Sequence, residues 1–333
     1  MNKKTLLTIL QYVVFLGLGI AIIFYMMGQL SEQDKAEMMA AIKGVRLWMM
    51  VPIVIVGFLS HWFRALRWKL ILEPLDIKPT TINTFFSVMI GYIANLALPR
   101  AGEVAKCTVL ARYEKVPADK MIGTIVAERA FDVLCLGLIT AFAFITQAGI
   151  IGDYAQDVFG KIAAKTNVFI FVLVALVLMI VVLVMIYKRF KESKVGRFIK
   201  GLGDGVRSIL QLKKRGMFLL YTALIWGCYW FLVMLGFWSM ESTEHLGMLA
   251  ALVVLIFGSI GMITTQGGIG AYPYLVGKIL LFYGIDKAYG QAFGWVSWTV
   301  QTGIIILLGV LSLVLLPVYN RTPHNAQDTV DRK

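Results

Sequence analysis

Residues 121–147 read MIGTIVAERAFDVLCLGLITAFAFITQ, and two properties of this stretch decide the fold. It is long enough to cross a hydrocarbon core, which takes about 20 predominantly apolar residues in a helix. It also carries Glu128, Arg129 and Asp132 in its interior. Ionisable groups at membrane depth are costly, so they face a protein interior or a watery cavity and mark a pathway. Glu128 and Asp132 are four apart and share a helix face, and Arg129, three before Asp132, is placed to pair with it. Counted from Met121, the three lie roughly 10–17 Å along a helix that rises about 1.5 Å per residue. A structural ion pair needs one acid. Two acids around one arginine leave a carboxylate for a substrate or a proton.

The rest of the chain agrees. Its 333 residues are 59% hydrophobic and 15% charged, with a mean hydropathy of +0.78. Soluble domains run nearer 45–50% apolar and about 25% charged. The net charge of +13 sits in short loops beside apolar spans, the ordinary topology signal of a membrane protein, so no nucleic-acid partner is expected. Cys107, Cys135 and Cys228 have no metal-type spacing and read as small buried hydrophobes. No cofactor and no metal site is expected, because His61, His245 and His324 are scattered.

Spanning helices are predicted near residues 6–28, 47–63, 121–146, 166–187, 217–240 and 291–316. The stretch after Asn2-Lys3-Lys4 runs apolar to Gly28 without a small-residue cleavage site and reads as a first span. Two further apolar stretches, 82–99 and 248–283, are broken by Gly, Pro and polar residues. Non-helical backbone is tolerated at membrane depth only where protein or water covers it, so both read as re-entrant helical hairpins. Charge supports this. With the N-terminus inside, segments 1–5, 64–81, 100–120, 188–215 and 317–333 hold 24 of the 32 Lys and Arg, and the external loops hold six. Lys and Arg set orientation, and the ten basic residues of 188–215 fix that loop inside.

Residues 47–146 and 217–316 both run span, broken hairpin, span, at an offset near 170. Opposite starting sides make them inverted repeats, whose Gly/Pro-interrupted segments point to a transporter's midplane site. The expected fold is therefore an all-α polytopic membrane protein, one transmembrane domain over 1–333. It divides into a first span and external loop (1–46), repeat 1 (47–146), a linker span and basic loop (147–216), repeat 2 (217–316) and a cytoplasmic tail (317–333).

Two turns join the charged helix as candidate sites. In the first, Pro99-Arg100-Ala101-Gly102-Glu103, Pro99 ends a helix and Gly102 lets the backbone turn closely. Glu103 falls in the next helix's first turn, where the positive helix end favours it. Arg100 offers a planar fork for phosphate, the helix-start amides an anion site, and Lys106 a second positive charge. The alternative is an interfacial turn that touches headgroups nonspecifically. In the second turn Gly267, Gly268 and Gly270 permit crowded backbone beside Thr264, Thr265 and Gln266, with Tyr272 following; close packing and ligand contact weigh equally there. It is no nucleotide loop, since no Lys-Ser/Thr follows. Arg64, Arg67 and Lys69 read as cytoplasmic flanking charges, Arg64 being within reach of a headgroup cavity. Trp62, Trp68, Trp230 and Trp238 read as interfacial anchors.

The order of these pieces, a basic turn, a Glu-Arg-x-x-Asp helix and a late glycine turn, resembles the lysylphosphatidylglycerol synthase transmembrane-region family of flippase-like membrane proteins. The resemblance covers roughly residues 10–317. It departs at Pro273, where members commonly carry an acidic residue. What it implies is the family's translocating portion alone, a lipid flippase, and the soluble aminoacyl-transferase domain of the family's synthases is not expected. The two-lysine start and uncleaved first helix suit a bacterial or archaeal inner membrane, and the loop charges place both termini in the cytoplasm. The expected substrate is an anionic phospholipid or lipid-linked phosphate, held by Arg100, Lys106 and Arg129, with Glu128 and Asp132 balancing Arg129. The alternative is a lipid headgroup-modifying transferase, or the membrane subunit of one. Expected partners are membrane lipids, with a cytoplasmic lipid-modifying enzyme and further copies of the chain as additional candidates.

Overall fold

A computed structural model describes residues 3–98, 101–147, 149–150, 209 and 211–321. The predicted span 166–187 and most of the basic loop 188–215 lie outside these residues, as do Pro99 and Arg100. Ten α-helices and no strands are found among the described residues. They are α1 (Lys3–Gly28), α2 (Glu32–Lys43), α3 (Met50–Leu72), α4 (Thr81–Ala97), α5 (Ala101–Glu114), α6 (Ala118–Thr146), α7 (Arg215–Trp238), α8 (Met248–Thr264), α9 (Ala271–Leu281) and α10 (Lys287–Tyr319). Among the described residues, four segments are long and apolar enough to cross a membrane: Leu47–Leu75, Lys120–Thr146, Arg215–Trp238 and Lys287–Tyr319. α1 is helical across the first predicted span.

Local chemistry sets the boundaries. Ser31 caps α2 through a capping box with Asp34, and the Ser31 backbone N–H holds the Asp34 carboxyl below the usual carboxylate range. α3 leaves through a turn that holds Pro74 and a left-handed Asp76. The Thr80 side chain caps α4, and Lys115, also left-handed, closes α5. Both long helices of the first half exceed the predicted spans, α3 at its end and α6 by three residues at its start. The predicted span 47–63 stops at the first arginine, whereas α3 continues to Leu72 with Arg64 and Arg67 buried. The segment 100–120, expected as a cytoplasmic loop, instead contains α5, which packs along α4 with Gly102, Lys106, Cys107 and Leu110 buried. α4 and α5 thus pair as a two-helix hairpin.

The order long, short, short, long holds for α3–α6 and again for α7–α10. The first long helices, α3 and α7, pack on each other, and each hairpin's first leg leans on the closing helix of the other half: α4 on α10, α8 on α6. Backbones come close where glycines allow. Gly57 faces Ile304 and Gly309 faces Ile93. One apolar core lies in the first half around Trp68, Met89, Leu110 and Met121. A larger one in the second half centres on Val254, Val276, Ile279 and Phe293. Outside them, Val133, Leu138, Ile145, Val314 and Val318 are exposed, as expected of helices whose outer surface meets lipid tails.

Candidate functional site

The charged helix α6 lies against α3 and α5, and its carboxylates are met by cations from both. Arg67 on α3 is fully buried and grips Asp132 with two parallel bonds, 2.7 Å from Nη1 to Oδ1 and 3.0 Å from Nη2 to Oδ2. The same Nη2 reaches Glu128 Oε1 at 3.2 Å. Arg64, one turn earlier, bridges Glu128 at 3.4 Å and Asp132 at 3.3 Å through Nη1 and donates to the Tyr229 hydroxyl at 2.8 Å. Lys106 on α5 meets Glu128 Oε2 at 2.8 Å and sits 4.4 Å from the ring centre of Trp68, a cation–π contact. Trp68 is therefore a fully buried wall of the site that donates to Thr124 at 3.0 Å, and not the interfacial anchor expected.

Pairing of Arg129 with Asp132, expected from their spacing, is absent. Asp132 is taken by the two α3 arginines, while Arg129 turns to Glu103 on α5, Nε to Oε1 3.5 Å. The side chains on α3 decide this. A carboxylate in low dielectric gains most from a planar two-pronged partner, and Arg67 supplies one from across the helix interface. Arg64 and Arg67 were legible only as loop charges because their partners lie more than 60 residues downstream. The one signal in sequence is their place in the buried stripe Ser60, His61, Arg64, Arg67, Trp68.

A narrow cleft opens beside the cluster, lined by Arg64, Tyr92, Asn95, Glu103, Lys106 and Arg129 together with Val88, Gly91 and Gly102. Three cations thus face one space. The first two amides of α5 are not free for an anion as supposed, for Gly102 N–H donates to Asn95 Oδ1 at 2.8 Å and Ala101 N–H to Leu98 O at 3.2 Å. Second-half helix α7 also enters the site, since Tyr229 and Thr222 accept from Arg64 and Arg67. Tyr229→Phe should cost about 1.5–3 kcal/mol, the range for hydrogen bonds to charged groups, read as a lower thermal midpoint in detergent with Arg64→Lys as comparison.

The second turn is used differently. Gly267, Gly268 and Gly270 have φ of 60°, 74° and 72°, a conformation that suits glycine. Gly270 lies so close to Gly19 of α1 that a Cβ would stand 2.5 Å from the Gly19 carbonyl oxygen. Gln266 donates to the Asn95 and Leu96 carbonyls and Trp298 to Gly267 O at 2.8 Å, so the two hairpin tips touch each other. Tyr272 is buried, with its ring against Gly258, and its hydroxyl accepts from Gln301 at 3.3 Å. Of the residues singled out in sequence, Glu103, Lys106, Glu128, Arg129 and Asp132 come together, Gln266 and Gly267 meet them only through the tip of α4, and Gly268, Gly270 and Tyr272 lie elsewhere. Arg100 is outside the described residues.

Fold and site define a multi-pass α-helical membrane protein with a charged cluster buried among its spanning helices. Residues 9–309 match the profile of the lysylphosphatidylglycerol synthase TM region. The chain belongs to that family. No curated protein and no solved structure matches it.

Proposed function

We propose that the protein moves an anionic lipid, a phospholipid or a lipid-linked phosphate, between the leaflets of the cell membrane. One observation carries this reading. Around the cleft four cations (Arg64, Arg67, Lys106, Arg129) face three carboxylates (Glu103, Glu128, Asp132), which leaves one positive charge. The Nε atoms of Arg64, Arg67 and Arg129 are buried without hydrogen-bond partners. Buried donors of this kind call for an acceptor, and a phosphate oxygen suits a guanidinium. The family itself is a membrane region of lysylphosphatidylglycerol synthase-like proteins, which agrees with an anionic glycerolipid.

The remaining features fit this reading. Six spans and two re-entrant hairpins would enclose the cluster, and the touching tips of inverted repeats would give each leaflet alternate access. Arg64, Arg67 and Lys106 belong to the cluster and leave the count of cytoplasmic charges, yet 21 of the 24 remain on that side against six outside. This favours cytoplasmic termini. Neither covalent chemistry nor a cofactor is needed for translocation.

Leaflet exchange of fluorescent phosphatidylglycerol and phosphatidylcholine in proteoliposomes tests the proposal. Exchange should favour phosphatidylglycerol and drop about tenfold in Arg129→Ala, the equivalent of one charge-assisted hydrogen bond. Equal exchange of both lipids, or none of either by folded protein, would overturn it.

A further inference from the structure

Arg129 stands on the wrong face of its helix for a residue of a buried cluster. Ile122, Val126, Arg129 and Val133 follow at spacings of four, three and four, one stripe of α6, and the three apolar members are 47%, 40% and 62% exposed. The Arg129 side chain is itself 42% exposed and Glu103, its partner on α5, 32%. Val104, beside Glu103, is 57% exposed. The ion pair therefore lies in the outer, apolar surface of the protein, about 14 Å along a spanning helix counted from Lys120 at about 1.5 Å per residue.

A charge on such a surface is unfavourable near a helix centre, and its pairing does little to offset this. The Arg129 Nε lies 3.5 Å from Glu103 and has no hydrogen-bond partner. Both residues line the cleft, and behind them stand Lys106 and Arg64, whose side chains are each 8% exposed. From the surface inwards, then, runs a row of three cations whose outermost member is loosely held.

We infer that the substrate enters sideways from the bilayer between α5 and α6, and that the Glu103–Arg129 pair is the gate of this entrance. A soluble anion would arrive through a polar mouth, whereas the exposed residues that flank this pair along α6 and α5, its apolar rim, are Ile122, Val126, Val133 and Val104. The rim suits acyl chains that stay in the membrane while a phosphate displaces Glu103 from Arg129 and passes on to Lys106. The inference rests on the translocase reading for its substrate but concerns entry alone.

The test is photo-labelling at equilibrium, which needs no translocation. p-Benzoylphenylalanine is placed at Val126, and at Val314 of α10 as an exposed apolar control, in protein reconstituted with traces of labelled phosphatidylglycerol or phosphatidylcholine. Labelling at position 126 should favour phosphatidylglycerol about tenfold, fall to parity in Arg129→Ala, survive in Arg129→Lys and rise in Glu103→Gln; position 314 should show no preference. Parity at 126 in the otherwise unaltered protein would overturn the entrance, and selective leaflet exchange alongside it would leave the translocase reading standing. Selective labelling without any exchange would keep the entrance and remove the translocase.

Discussion

Glu128→Ala should destabilise the folded protein more than any other change of one charged side chain, by about 3–5 kcal/mol, the usual result of removing one member of a buried ion group. Glu128 is fully buried and shares its two oxygens among Arg64, Arg67 and Lys106, at 3.4, 3.2 and 2.8 Å. Without it, three cations from α3 and α5 are left with Asp132 alone, in a site that water reaches poorly. Glu128→Gln keeps the shape and one acceptor but not the charge, so most of the loss should remain. The decisive arm is the double variant Glu128→Gln/Lys106→Met. It restores the original charge balance and should recover part of the thermal midpoint in detergent, a positive coupling of the kind neighbouring sites show. It should not recover lipid exchange, because Lys106 lines the cleft. Glu128→Ala with a wild-type midpoint would mean that solvent screens the cluster, and the argument for a desolvated anion site would go with it.

How far this site was legible follows from where its information lies. Glu128, Arg129 and Asp132 announce themselves because they interrupt an apolar run, a local signal. Arg64 and Arg67 do not, for they sit at the end of a run, where charges ordinarily mark the membrane surface, and it is the carboxylates of α6 that let α3 bury them on its way to Leu72. The same limit applies to α5. Its periodic pattern is weak, with Glu103, Lys106 and Arg112 among small residues, and its burial depends on α4 and on Glu128. Periodicity predicts an element that buries an apolar stripe, and it misses one whose buried face is made of glycine, lysine and cysteine. The alternation of long and short helices, by contrast, needs only hydropathy and helix breakers, and it was readable at an offset near 170. Arg129 was misassigned for a further reason. Spacing shows which residues can touch along one helix, while the choice among candidates belongs to the neighbouring helices.

Gly102→Ala should be the most damaging change of a single methyl group in the first half. Gly102 of α5 crosses Gly91 of α4 so closely that a Cβ on Gly102 would be driven into the Gly91 carbonyl oxygen and onto the Asn95 amide. The reverse addition, at Gly91, would set a Cβ 2.8 Å from the Gly102 carbonyl oxygen and 3.0 Å from Lys106 Cβ. Backbone cannot step aside as a flexible side chain can, so the hairpin must splay. Overpacking of this kind costs about 1–3 kcal/mol, and here it also breaks the 2.8 Å bond from Gly102 N–H to Asn95 and moves Lys106 relative to Glu128. Both the thermal midpoint and the preference for phosphatidylglycerol should therefore fall. Gly123→Ala on α6 is the control, since nothing lies within 4 Å of its would-be Cβ and alanine is the better helix former by up to about 1 kcal/mol. The second hairpin tests the same geometry from the other side. There Gly261 meets the Tyr272 backbone, with a Cβ 2.7 Å from Tyr272 Cα, and both residues lie 170 beyond Gly91 and Gly102. Gly261→Ala should destabilise as Gly102→Ala does yet leave headgroup preference intact in whatever protein folds, because no member of the charged cluster lies beside it. If Gly102→Ala behaves like Gly123→Ala, the crossing is loose, and the hairpin does not set the position of Lys106.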